Sequence, residues 1–214
     1  MRLLVLANSK KFNGRCIAGI DLDSGKWVRP VSNTEHGEFT SAECSVAIGG
    51  SRRQVQSLDV IEVVAVASKP GVGHPEDIQT NHGNWKYLTS ISIGEASGFL
   101  DKYLDNGHEL LFNRESSVPE ADAQAGKVKK SLCLIRITDG VFDCSFKNQL
   151  RVKFTHRGRK YNLPVTDEGG WVSVAKRNPS SVSKGPWYFT ISLGEPYNEK
   201  MWKLIAGGVL VASG

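Results

Sequence analysis

Cations are concentrated in the second half of the chain, over residues 147–177, and Phe154, Tyr161 and Trp171 lie among them. No Asp or Glu occurs between Asp143 and Asp167. Each phosphate that a cationic side chain neutralises releases counterions, so such a stretch favours contact with a nucleic-acid backbone. Aromatic rings on the same surface can stack on bases of any sequence. The predicted contacts are Lys147, Arg151, Lys153, Arg157, Arg159, Lys160, Tyr161, Trp171, Lys176 and Arg177.

The element that must position most of these cations is a β-hairpin. Residues 150–165 alternate in character at the strand period of two and turn at Arg157-Gly158. Arg151 and Lys153 fall on one face, whereas Phe154 falls on the other and is expected to be core. A twisted two-stranded ribbon with cations on one face suits a phosphate backbone. The alternative is an ordinary exposed edge that its cations keep soluble.

A second hairpin, over residues 14–32, carries secondary candidates in the first half. Its turn is Asp23-Ser24-Gly25, a three-residue loop that ends in glycine. Trp27 and Arg29 share a face of the return strand, and Pro30 predicts that this strand is an edge or ends there. These two side chains could stack a base and grip a phosphate, or they could be scaffold. The secondary contacts are Arg15, Trp27, Arg29, Arg52 and Arg53.

The polar loop from Gly73 to Trp85 is the one place where metal chemistry is conceivable. It holds His74, Glu76, Asp77 and His82. Their spacing matches no standard ligand pattern, so a metal-dependent nuclease is only a remote alternative. The chain has no G-x-S-x-G, no phosphate-binding glycine loop and no C-x-x-C pair. We therefore predict no catalytic residue, no metal ligand and no cofactor.

Charge is unevenly distributed along the 214 residues. Residues 127–214 hold 15 Lys and Arg against 6 Asp and Glu, a net charge of +9, and residues 1–126 hold 12 against 16, a net charge of −4. This polarity favours an acidic partner for the second half. The alternative is that the excess serves solubility.

Cysteine usage and hydropathy bear on the compartment. None of Cys16, Cys44, Cys133 and Cys144 lies in a C-x-x-C pair, which favours free thiols in a reducing cytosol. No stretch approaches the ~18 apolar residues of a membrane span. We expect a cytoplasmic protein without membrane contact.

Short strands and frequent glycine turns predict an all-β protein with one or two short helices. About ten strands are expected, arranged as two tandem small OB-like β-barrels. Residues 58–67 predict a central strand that is buried on both faces, and residues 168–187 predict a long loop. The predicted domains are 1–112, a first barrel with a helix, and 131–214, a second and basic barrel, joined by a linker at 113–130.

Five segments give the chain a resemblance to a known family. They are Leu4 to Ser9, Gly14 to Ile20, Trp27 to Ser32, Ser192 to Pro196 and Lys203 to Gly207. On these residues the sequence resembles the bacterial dual OB-containing domain family. The resemblance implies two tandem OB-like barrels and a nucleic-acid-binding role, often beside genome-defence enzymes. It supplies no catalytic motif.

The expected function is therefore non-catalytic nucleic-acid binding. The partner is DNA or RNA, with single strands favoured, and the chain would be an accessory subunit of a bacterial defence system. The alternative is an interaction subunit that docks a partner enzyme or a second copy of itself. In that case the edge strand ending at Pro30 would be a natural contact through β-augmentation. The oligomeric state is not predicted.

Overall fold

The computed structural model describes residues 1–80, 85–146, 149–182 and 185–211. Two residues singled out above, His82 and Lys147, lie outside the described residues. No helix in the described part of the chain is long and apolar enough to cross a membrane. All four cysteines are free thiols.

Nine strands come from the first 90 residues. Seven of these strands form one sheet in the order β7-β8-β3-β2-β1-β6-β9, and the other two, β4 and β5, pair as a separate hairpin. A short helix, α1 (Ile93–Leu100), follows the last strand. The strands are β1 (Arg2–Lys11), β2 (Gly14–Asp21), β3 (Trp27–Val31), β4 (Ser45–Ile48), β5 (Ser51–Gln54), β6 (Asp59–Glu62), β7 (Ala65–Ser68), β8 (Asp77–Thr80) and β9 (Lys86–Ser90).

Seven more strands form two sheets in the second half. The first has the order β10-β16-β15-β11 and the second has the order β12-β13-β14. Helix α2 (Glu120–Gln124) follows β10, and α3 (Gly170–Arg177) follows β14. The strands are β10 (Ser117–Pro119), β11 (Leu132–Ile137), β12 (Val141–Asp143), β13 (Arg151–His156), β14 (Arg159–Pro164), β15 (Trp187–Tyr197) and β16 (Lys200–Leu210).

The two sheets of the second half curl around an aromatic core. Trp187 and Phe189 stack with ring centroids 5.4 Å apart, and Phe154 stacks on Tyr161 at 5.6 Å. A bridge between Val165 and β16 joins the two sheets. The prediction of an all-β chain with short helices and two OB-like barrels is confirmed.

The two halves meet where β1 bulges. The register of β1 against β2 shifts between Val5 and Ala7, so Leu6 is the extra residue. Its carbonyl oxygen accepts a hydrogen bond of 2.8 Å from the Thr190 hydroxyl in the other half. Gly207 of β16 lies over the same carbonyl, and a Cβ at that position would overlap it. The bulge therefore turns one backbone group of the first half into a contact with the second.

A polar seam fastens the halves on another side of the junction. The Glu76 carboxylate accepts hydrogen bonds from the backbone N–H and the hydroxyl of Ser131, both at 2.7 Å. Arg29 donates to the Ser131 hydroxyl at 3.4 Å. Lys11 forms an ion pair of 2.6 Å with Glu195. An apolar cluster shared by the two halves includes Leu4 from the first and Tyr188 from the second. Together these contacts make the junction an ordered interface.

The prediction of one buried strand over residues 58–67 was wrong. The segment breaks between Glu62 and Ala65 into β6, which is largely buried, and β7, which is exposed along its whole length. The apolar run is continuous in sequence. Only its first part lies between two neighbouring strands, β1 and β9.

The prediction that Pro30 marks an edge was also wrong, because β3 lies between β2 and β8. Pairing with β2 ends at Val28, whereas pairing with β8 runs from Arg29 to Val31. Arg29 N–H donates to the Glu76 carbonyl in the parallel ladder. Successive backbone groups of a strand point to opposite sides. The missing N–H of Pro30 thus faces the side where pairing has already stopped.

Two segments predicted as irregular hold regular structure. Residues 168–187 include α3, whose Val172 and Ala175 are buried. Residues 113–130 include β10 and α2, and β10 forms the edge of the four-stranded sheet. The predicted linker is therefore packed onto the second half. The division of the chain into domains at these positions stays a prediction.

Candidate nucleic-acid interface

The outer face of β12–β14 gathers the predicted cations of the hairpin. The register pairs Lys153 with Asn162 and Thr155 with Lys160, so these side chains share the solvent side of the sheet with Arg151. Residues two apart along a strand are about 7 Å from each other. We call this surface, formed by the exposed side chains of β12, β13 and β14, the outer face. It presents a ladder of cations at close spacing.

The turn of this hairpin has the conformation its sequence predicts. Arg157 and Gly158 both have positive φ, 49° and 75°, between the paired residues His156 and Arg159. A two-residue turn of this type matches the twist of antiparallel strands. Arg157 is exposed at its tip.

Two of these cations form ion pairs with carboxylates at the protein surface. Lys153 pairs with Asp143 at 2.8 Å, and Arg159 pairs with Glu115 at 3.1 Å. The hydrogen bond from Lys153 holds the pKa of Asp143 below its usual range. Lys153, Arg159 and Glu115 are exposed, and the Asp143 side chain is 26 % exposed. Such surface pairs contribute little net stability and are screened by salt, so a phosphate can displace the carboxylates.

Arg151 keeps its charge without a carboxylate partner in hydrogen-bond reach among the described residues. Its guanidinium donates to the side chain and the backbone oxygen of Asn162 and, at 3.3 Å, to Gln149. These amides hold the planar group in place, and Asp143, its cross-strand neighbour, acts on its charge only from beyond hydrogen-bond distance. A preorganised arginine of this kind suits a phosphate.

Phe146 adds an aromatic ring that was not among the predicted contacts. It is 56 % exposed, and the Arg151 guanidinium lies 6.0 Å from its ring centroid. Phe146 lies between β12 and β13 in a stretch without periodicity, so the sequence does not predict on which face of the sheet its ring lies. Arg151, five residues after Phe146 at the start of β13, was a usable signal, since an aromatic ring beside an arginine is a common platform for single strands.

Tyr161 does not belong to this interface. It is buried on the inner face, stacked on Phe154, and burial raises the pKa of its hydroxyl group. The strand period accounts for this placement, because Tyr161 is paired with Phe154 across the hairpin. Phe154 is core, as predicted.

The remaining predicted contacts of the second half lie along α3. Lys176 and Arg177 are exposed in its last turn. Trp171 lies in the first turn and packs on Trp187 at 4.8 Å and on Phe142 of β12 at 6.0 Å. Helix α3 therefore runs beside β12, with its aromatic end on the core and its cationic end in solvent.

Arg29, predicted as a secondary contact, is buried and cannot contact a ligand at the surface. The side chain is buried in an ion pair with Asp77, and the residue is 2 % exposed. It could reach a phosphate only by abandoning that carboxylate in the interior, which is costly. Trp27 is half-buried against apolar residues of the junction. Both residues are scaffold in this structure.

Arg52 and Arg53 diverge although they are adjacent. Arg52 is exposed on β5 and donates to the Ser45 carbonyl at 2.9 Å. Arg53 turns the other way and forms a two-pronged ion pair with Asp59, at 2.7 and 2.8 Å. Alternation along a strand produces this divergence.

A cleft between the two halves brings three predicted residues together. Arg15 and Arg53 from the first half and Trp171 from the second all line it, and its volume is about 660 Å³. Arg15 forms an ion pair of 3.1 Å with Glu168 across the cleft. No spacing rule relates these positions, because they lie on β2, β5 and α3.

Asp167 fixes the second-half wall of this cleft. Its carboxylate accepts hydrogen bonds from the Trp171 indole at 2.6 Å and from the backbone N–H groups of Gly169 and Gly208 at 2.9 and 3.0 Å. Burial raises its pKa to about 6 despite these donors. The carboxylate orients Trp171 and offers little to a ligand.

In the described part of the loop that follows Gly73, the two carboxylates are bonded to other parts of the protein. Glu76 bonds to Ser131 and Asp77 to Arg29, as described above. Among the described residues, no group of three or more His, Cys, Asp or Glu side chains is placed to hold a metal ion. The nuclease alternative therefore has no candidate site in this part of the chain.

His74 makes stability depend on pH. It is buried, and neither ring nitrogen has a hydrogen-bond partner among the described residues. Burial, with Arg29 and Lys11 nearby, lowers its pKa well below 6.5. Its Nε2 lies 3.7 Å from the Glu195 carboxylate. Below pH 6.5 the unfolded chain binds a proton at this histidine and the folded chain does not. Stability therefore falls as the pH drops below 6.5.

We expect the free energy of unfolding to fall by about 1 kcal/mol at pH ~5.5 through His74 alone. Asp167 has the opposite sign below pH about 6, because its folded pKa is raised. The measurement is therefore the difference between wild type and His74→Leu in urea unfolding at several pH values. A difference that does not change between pH ~7.5 and ~5.5 would contradict the assignment.

On the side of the sheet where β3 lies, the edge strand is β7 and not β3. All four residues of β7 are exposed, and Val66 lies at an irregularity in its pairing with β8. A bulge is a common device by which edge strands avoid further pairing. The interaction alternative stays a prediction, without a specific surface in its favour.

Two curled sheets with a cation-bearing hairpin define a tandem OB-type protein, a class that commonly binds nucleic acids. The model of the dual OB-containing domain family matches residues 1–208, and the chain belongs to that family. A search of curated proteins found no match. The resemblance stated from the five segments is thus confirmed.

Proposed function

We propose that this protein binds nucleic acid through the outer face of β12–β14 and performs no chemistry on it. The observation that carries the proposal is the arrangement of Arg151, Lys153 and Lys160 on one exposed face, where exposed carboxylates compete weakly. Membership of an OB-containing family supports the same function, since OB folds commonly bind oligonucleotides.

The preference we propose is for single strands. Phe146 lies beside Arg151 and is half exposed, and stacking on such a ring requires a base that is free of its duplex neighbours. Exposed Lys176 and Arg177 on α3 are further cations of the second half that we expect to contribute to binding. In this role the chain would be an accessory subunit beside an enzyme of a bacterial defence system.

The test is a fluorescence anisotropy titration with labelled single-stranded DNA, single-stranded RNA and duplex of one sequence. An oligonucleotide of about 20 nucleotides is long enough to cover an OB-type site. We expect single strands to bind most tightly and affinity to fall steeply between about 50 and 200 mM salt. Failure to bind all three at the lower salt would overturn the proposal. Stable dimerisation or co-purification of a protein under those conditions would then favour the interaction alternative.

A further inference from the structure

The cleft between the halves has the composition of a ligand site. Its volume, about 660 Å³, lies within the range of about 300–1,000 Å³ that is usual for small-molecule pockets. One wall comes from residues 53–59 and 90–93, and the other comes from residues 167–174 and 208–210. The site exists only when the two halves are docked.

One side of the cleft is lined by apolar side chains. Ile93 is 56 % exposed and Val174 is 43 % exposed, and both line the cleft with Trp171 and Leu210. The indole N–H of Trp171 is already bonded to Asp167, so this ring has only apolar surface to offer. Exposed apolar side chains that converge on one concavity are typical of binding sites.

Trp171 is held for this role more firmly than core packing requires. A Cβ on Gly208 would come within 2.8 Å of the indole ring, and one on Gly169 within 3.0 Å. The two glycines therefore form a close-fitting bed for the ring. Asp167 accepts from its N–H edge and Trp187 packs on it at 4.8 Å, whereas the part of the ring that lines the cleft stays accessible.

The opposite side offers hydrogen bonds of both kinds. Arg15 spends three N–H groups on Ser41, Asn8 and Glu168, which leaves others of its five for a ligand. The Gln54 side-chain oxygen is a buried acceptor with no partner among the described residues. Both residues line the cleft.

The charges of the cleft argue against a phosphate inside it. Three carboxylates, those of Asp59, Asp167 and Glu168, line the cleft with the two arginines, Arg15 and Arg53. Each arginine is already paired with one of the carboxylates. A ligand of this cleft is therefore a neutral group with apolar faces and a polar edge.

We infer that the cleft binds a nucleobase, seated against Trp171 and Val174 with its polar edge toward Arg15 and Gln54. Bases combine faces that stack on aromatic rings with edges that donate and accept hydrogen bonds. The base could belong to a free nucleoside or to a strand held on the outer face. Only the second source rests on the proposed function.

The test is calorimetric titration of the full chain with adenosine, guanosine, cytidine and uridine. We expect at least one to bind, and Val174→Trp, which fills the cleft from an exposed position, to weaken it at least about 10-fold. Val64→Trp is the matched control, because Val64 is 61 % exposed and lies outside the cleft. Unchanged nucleoside affinity in Val174→Trp would overturn the inference, as would the absence both of nucleoside heat and of any preference for an intact strand that Val174→Trp abolishes.

The second source is tested with an oligonucleotide and its abasic counterpart on wild type and Val174→Trp. A preference for the intact strand that Val174→Trp abolishes places a base of the strand in the cleft. Nucleoside binding without any oligonucleotide binding would support the cleft and refute the proposed function. If oligonucleotides bind equally well with and without the abasic substitution, and no nucleoside binds, the proposed function is supported and the nucleobase site in the cleft is refuted.

Discussion

Reversing three charges on the outer face, as Arg151→Glu, Lys153→Glu and Lys160→Glu together, should lower affinity for single-stranded nucleic acid about 100-fold or more. Each reversal removes a cation that meets a phosphate and adds a carboxylate that repels it. All three side chains lie on the solvent side of the hairpin, so the inner face that packs on the core is unchanged.

The matched control reverses the same amount of charge in the first half. Lys26, Lys86 and Lys102 are exposed lysines away from the outer face. Their triple change to glutamate alters net charge equally, so it reports any general electrostatic effect. We expect this control to lose far less affinity. Equal losses in the two variants would mean that the outer face has no special role.

The second large effect concerns the junction. Gly207→Ala should destabilise the protein by about 3 kcal/mol or more, because the added Cβ would overlap the Leu6 carbonyl and two strands would have to move apart. The same shift would separate that carbonyl from the Thr190 hydroxyl and leave a buried acceptor unpaired. Urea unfolding measures the loss.

Gly98→Ala is the control for this substitution. Gly98 lies within α1, and a Cβ there meets nothing within 4 Å. Alanine in a helix is about 0.5–1 kcal/mol more favourable than glycine, so the control should be neutral or stabilising. A Gly207→Ala variant as stable as the wild type would show that β16 does not bear closely on the bulge in β1.

The hairpin and its inner and outer faces could be predicted because they depend on local sequence. Alternation placed Phe154 inside and Lys153 outside, and Arg157-Gly158 marked the turn. The same period, carried across the turn, pairs Tyr161 with Phe154 and places it in the core. The prediction of Tyr161 as a contact was therefore wrong for a reason that the sequence itself contains.

Other features depend on contacts between distant residues and have no local signal. Arg29 is neutralised by Asp77, 48 positions away. Helix α3 begins at paired glycines, which are poor helix formers and predict a loop. The apolar sequence of β7 predicts a buried strand, yet β7 is exposed because it lies at the edge of the sheet. Secondary structure at such sites is decided by packing between elements.

The cleft could not be predicted for a related reason. Arg15, Arg53 and Trp171 were each singled out for their chemistry, but their convergence requires the docked halves. The bulge at Leu6 and the Glu76–Ser131 contact produce that docking. Neither has a signature in the sequence.

The most direct test of nucleic-acid binding through the outer face is the salt dependence of binding. For a single strand, log affinity should fall with log salt by about 0.7 for each neutralised phosphate. The variant Arg151→Gln, Lys153→Gln, Lys160→Gln should therefore bind more weakly and with a slope shallower by about 2. A slope equal to that of the wild type, or no binding by the wild type at low salt, would contradict the account.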